Sequence, residues 1–177
     1  HIAKPLNVGE MFATIAKFRA ARRCWAAMVE ASGAAASAGG APMSARTATR
    51  MMTTRDPWVN MLRTTAAAFA AGVAGASSVT VQPFDAAIGE PDELARRVAR
   101  NTQLLLQEES HIARVTDPAG GSWFLEAFTD ELVRVAWEEL GRIETSGGLG
   151  AALTDGSLGE RIDATRAGRD RNIACRK

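Results

Sequence analysis

Tyrosine is absent from this 177-residue chain, and cysteine and histidine occur only twice each. Two cysteines, Cys24 and Cys175, cannot build a disulfide framework, and no CxxC pair offers a metal or redox site. They fit two reduced thiols in a cytosolic protein, and with no targeting segment in view the expected location is the cytoplasm. The histidines, His1 and His111, complete neither an HExxH nor a Cys/His set at metal spacing. There is no GxSxG and no completed GxGxxG. No catalytic residue and no metal ligand can be named from motifs of this kind.

Charge of one sign is also lacking. Lysine and arginine number 21 against 20 acidic residues, so the strongly basic footprint expected of a nucleic-acid-binding protein is missing. The longest weakly polar run, TTAAAFAAGVAGASSVTV (64–81), is made of Ala, Gly, Ser and Thr. It lacks the Leu, Ile and Phe density of a membrane span and reads as a buried helix end running into a strand. Neither nucleic acid nor membrane is expected as a partner. The chain opens on His1, which we take as an internal start and hence as a fragment.

What is present is alternation. Ile15, Phe18, Trp25 and Val29 form one apolar stripe on a helix over 9–31, with Lys17, Arg19, Arg22 and Arg23 largely off it. Residues 32–42 are a small-residue loop, and 43–50 (MSARTATR) are a weak strand. Asp56-Pro57 is a helix-start signal, with Trp58, Met61, Leu62, Thr65, Phe69 and Val73 on one side. SVTVQ (78–82) alternates as a strand does. Pro91-Asp92-Glu93 opens a helix to about Glu109, with Leu94, Val98, Leu105 and Leu106 as its apolar positions. Arg114–Thr116 is a possible short strand. Phe128, Leu132, Val135, Ala136 and Ile143 mark a further helix, broken by Gly147–Gly150. Ser157 and Glu160 fit a capping box ahead of an arginine-rich helix over 158–175.

Helices and strands in turn imply βα units on a parallel sheet, an α/β fold. About 250 residues are needed to close eight units into a barrel, so three units would be only part of one. An open three-stranded sheet is the alternative, with free edges. In 78–82, Ser78, Thr80 and Gln82 share one face and Val79 and Val81 the other. A polar interior suits a barrel threaded by a polar ligand, whereas a half-exposed strand with a solvent face gives the same pattern. DPAGGS (117–122) could cradle a phosphate with its N–H groups, but a tight turn is the commoner reading. His111, at a helix end, could meet free carbonyls. Arg161, Arg166, Arg169, Arg171 and Arg176, interleaved with Asp163 and Asp170, suit a solvated or interface helix.

The stretch 91–140, with ARNTQLLLQEES followed by VTDPAGGSW, closely resembles the segment that ends the barrel of methylmalonyl-CoA mutases and related acyl-CoA mutases. IAKFRAARRCW (15–25) and DPWVNMLRTT (56–65) resemble upstream stretches of that family in the same order. The resemblance covers nearly the whole chain and is weakest at 32–50 and in the tail. It implies the C-terminal part of a (β/α)8 TIM barrel, about three βα units over 1–146, with a helical extension over 147–177. It also implies an axis occupied by the pantetheine arm of acyl-CoA. A separate domain, whose DxHxxG supplies a histidine to cobalt, would hold adenosylcobalamin, and the family's radical rearrangement is chemistry carried by that cofactor.

This chain has no DxHxxG. Where catalytic chains carry an RTHSQTSGW-like run, it reads PMSARTATRMM (42–52). Their Gln-Ser pair is here Ser77-Ser78, leaving Ser78 as the one candidate substrate-binding residue. Their Asp-Glu-Ala turn is here Asp85-Ala86-Ala87. MSARTATRMMTTRDPWVNMLR looks like the version found in the non-catalytic small subunit of heterodimeric mutases. That resemblance implies a cobalamin-binding large subunit as partner, with adenosylcobalamin held there and none bound here. Two other readings stay open: a piece of a catalytic mutase chain, and a degenerate acyl-CoA-binding module.

Overall fold

The computed structural model describes residues 8–175. The polypeptide folds as α1 (Val8–Ala31), β1 (Ser44–Arg46), α2 (Val59–Val73), β2 (Ser78–Thr80), α3 (Glu93–Leu104), α4 (Trp123–Thr145), α5 (Gly148–Thr154) and α6 (Ser157–Ala174). Short helical turns sit at Ala36–Gly39, Thr49–Met51, Leu105–Glu109 and Ile112–Arg114. It is mostly helical with a small parallel sheet, which has α/β character. β1 and β2 run parallel with Ser44 opposite Ser78, Ala45 opposite Val79 and Arg46 opposite Thr80. Among the described residues these are the strands, two where three were expected.

The third expected strand, 114–116, does not form. The chain spends those residues on a helical turn ending at Arg114, and Val115, though extended, is 63% exposed and pairs with no strand. A lone extended residue has no ladder to join. The turn is set up upstream: Leu105–Glu109 widens into a π-type turn, and His111 takes a left-handed conformation at φ 51°.

Packing divides the chain within α4, residues up to Val133 forming one compact unit and those from Arg134 another. In the first unit, Ile15 and Ala16 of α1 meet Ala70, Val73 and Ala74 near the end of α2, together with Ala119 and Leu125. A second cluster joins Ala68, Val81, Ala99 and Leu106. Phe69 packs on both. Alanines let these helices approach closely, and Gly72 extends that logic: a Cβ there would stand 2.5 Å from Cδ1 of Ile112.

Several helix faces differ from those expected. On α2 the buried positions are Asn60, Thr64, Ala68, Ala70, Ala71 and Val73. Leu62 is exposed, and Trp58, also exposed, stacks on Phe84 with centroids 4.7 Å apart. On α3, Ala95, Ala99 and Thr102 face inward, while Leu94 and Leu105 are exposed. Trp25 of α1 lies half in solvent and donates its indole N–H to Ala38 O at 2.9 Å. Close-packed faces select small side chains, so the large aliphatics that dominate a periodicity reading are displaced outward.

The ends of elements follow local chemistry. Asp92 caps α3, accepting from Ala95 N at 2.7 Å. Asp56 caps nothing: it is left-handed at φ 48°, and α2 starts three residues later at Val59 without a side-chain cap. In the second unit, Gly147 and Gly148 both hold positive φ where α4 turns into α5. The capping box at α6 is not made. Ser157 Oγ donates to Ala152 O at 3.5 Å, and it is Asp155 that caps, accepting from Ser157 N at 2.9 Å.

Candidate functional site

Parallel α/β folds present their ligands and partners at the C-terminal ends of the strands, so the site is sought where β1 and β2 end. On the sheet, Ser44, Arg46, Ser78 and Thr80 are exposed, whereas Ala45 is buried and Val79 partly so. The polar face foreseen from alternation therefore exists over the ladder. Gln82 does not belong to it: the strand stops at Thr80, and Gln82 is 8% exposed.

Ser78 hydrogen-bonds across the ladder, its hydroxyl donating to Ser44 Oγ at 2.8 Å. Ser77 Oγ accepts from Met43 N at 3.2 Å, and Ser77 N donates to Met43 O at 2.8 Å. Beyond the strands, Thr47 N donates to Thr80 O at 3.0 Å, and Thr47 Oγ1 accepts from Gln82 N at 2.8 Å. Thr49 Oγ1 accepts from Gln82 Nε2 at 3.1 Å. Hydroxyl and amide groups thus knit the strand ends to each other, and each bond kept internal leaves that group less free for a ligand.

The residue that organises this end is Asn60, which no sequence motif singled out. It is fully buried. Its Nδ2 donates to Thr53 O at 2.9 Å and to Phe84 O at 2.8 Å. Its Oδ1 accepts from Thr53 N at 3.0 Å and from Arg63 at 3.0 Å. One amide thereby ties the loop after β1, the start of α2 and the turn after β2. The available signal was a polar residue one turn into a helix start, DPWVN, at a position that packs inward.

Asp85 is buried. Its Oδ2 accepts from Asp92 N at 2.9 Å, and its Oδ1 is shielded with no partner among the described residues. Ala86 beside it is half-buried and carries no chemistry. His111 is exposed and makes no cap with its side chain, while His1 lies outside the described residues. DPAGGS is a turn: Gly120 N donates to Asp117 O at 2.9 Å, and Gly121 N to Glu126 Oε1 at 3.2 Å. Arg19, expected off the packed stripe, lies largely buried and pairs with both Asp117 and Glu126. Burial works against the Arg19 charge, but the hydrogen bonds and charges of those two carboxylates outweigh it and raise its pKa.

In the second unit, Arg161 of the arginine-rich helix pairs with Glu139. The hydrogen bond from Arg161 holds the Glu139 carboxyl below the usual range. Ser157 does the same for Asp155, chiefly through its backbone N–H. Arg176 lies outside the described residues.

Cobalt in a corrin takes an imidazole from a hollow large enough for the macrocycle. His111 sits instead on an exposed turn, and a hollow found here is lined by Glu138, Gly141, Arg142, Thr145 and Ser146, without histidine. Among the described residues no group of three or more His, Cys, Asp or Glu could hold a metal ion, and no helix is long and apolar enough to cross a membrane. The described residues do not fit the cofactor.

Comparison with known proteins gives a consistent picture. The profile of the family described as methylmalonyl-CoA mutase matches residues 7–177. The chain is 56% identical over 168 residues to the methylmalonyl-CoA mutase small subunit of Streptomyces virginiae, covering 95% of this chain and 27% of that one. It is 42% identical to the small subunit of Propionibacterium freudenreichii subsp. shermanii over 169 residues, 95% of this chain and 26% of that one. It is 34% identical to the methylmalonyl-CoA mutase of Escherichia coli over 165 residues, 93% and 23% of the two. The chain spans about a quarter of the length of the curated relatives it matches.

Proposed function

Because the chain belongs to the methylmalonyl-CoA mutase family, we propose that it is part of a non-catalytic small subunit. In this reading the subunit supports a larger chain that interconverts methylmalonyl-CoA and succinyl-CoA. Residues 1–146 contribute the last βα units of a TIM barrel and 147–177 a helical extension. Adenosylcobalamin, which supplies the radical that starts the rearrangement, is held by the partner. The assembly works in the cytoplasm. Ser78 is the one residue here that would meet the acyl-CoA.

The observation that carries the reading is the chemistry at the strand ends. Where the resemblance places a carboxylate in catalytic chains, this one has Ala86, and the end of β1 with the loop after it reads RTATRMM. The remaining hydroxyls, Ser44, Ser78, Thr47 and Thr49, bond one another or Gln82. A site that had kept its ligands would hold polar groups free and aimed outward, since each lost buried contact costs about 0.5–3 kcal/mol of binding. Part of the hydrogen-bonding capacity of these hydroxyls is spent inside the chain, which supports the scaffold reading.

The test is turnover by the full-length chain, alone and with a cobalamin-binding mutase subunit, in the presence of adenosylcobalamin. Conversion of methylmalonyl-CoA only when both chains are present supports the proposal. Turnover by the chain alone overturns it.

A further inference from the structure

We draw no further inference here: the strongest candidate, the apolar side chains Val135, Trp137, Leu149, Leu153 and Ile162 left exposed on α4, α5 and α6 in the unit from Arg134 onward, carries nothing because nothing in the structure shows what covers them.

Discussion

The Arg19 guanidinium on α1 holds Asp117 and Glu126, residues 98 and 107 positions away, and so fixes the turn that leads into α4. Glu126 also accepts from Gly121 N, so one carboxylate joins helix α1 to the backbone of the turn. Arg19→Met leaves both carboxylates without their cation. The pair is less shielded than a buried one, since Asp117 and Glu126 keep 46% and 40% of their side-chain exposure. The expected loss is about 1–2 kcal/mol in urea unfolding of the full-length protein, between exposed and buried ion pairs. The Gly121 amide should exchange faster with solvent.

Asn60→Ala strips partners from Thr53 N, Thr53 O and Phe84 O at once. Because the site is fully buried, water cannot replace them without repacking. About 3 kcal/mol or more of destabilisation is expected by denaturant titration. Asn60→Asp should also be costly, because a carboxylate cannot donate to the two carbonyls. A loss under about 1 kcal/mol for Asn60→Ala would remove the organising role given to this residue.

Ser78→Ala and Ser44→Ala should each cost about 0.5 kcal/mol, as an exposed hydroxyl pair can turn to water. Made together they should cost little more than either alone, because both remove the same bond. Additive losses measured by thermal unfolding would mean that each serine has a separate partner.

Glu139 has its pKa lowered by the hydrogen bond from Arg161. A group depressed in the folded state contributes stability above its unfolded pKa and loses it as pH falls through its folded pKa. The α4–α6 pairing should therefore loosen below the ordinary Glu range, while neutral pH leaves it intact. The Glu139 carboxyl resonance should titrate below the ordinary Glu range, and Glu139→Gln should abolish the acid dependence of exchange in α6. A normal titration midpoint would contradict the pairing.

Expressed alone, residues 1–177 should self-associate. The two-stranded sheet has unpaired edges, and Trp123 at 92%, Val115 at 63% and Phe124 at 59% exposure add apolar surface. Size-exclusion chromatography with a thermal melt tests this. A monomer with a sharp cooperative transition would argue against the partial-barrel reading.

Much of the local structure was legible in the residues. The α1 stripe through Ile15 and Val29, the cap at Asp92, and the glycine break after α4 follow from short-range chemistry that neighbouring residues settle among themselves. The family was legible too, because runs such as ARNTQLLLQEES and VTDPAGGSW carry it in order. Burial was less legible. Leu62, Leu94 and Leu105 have the side chains periodicity selects, yet alanines at 68, 95 and 99 take the interior because close helix contact leaves room only for a methyl group.

The sequence by itself determined the start of α3 at its Asp92 cap, the alternation over 78–80, and the family to which the chain belongs. The tertiary structure alone decided that Asn60 and Arg19 are the joints of the first unit, that Ser78 bonds Ser44, and that 114–116 is no strand. The reason is range. A cap or an alternation is settled within a few residues, whereas Asn60 to Phe84, Arg19 to Asp117 and Ser44 to Ser78 span 24, 98 and 34 positions. Such polar pairings exist only once apolar packing has brought distant segments together, and their energy depends on the burial that packing creates.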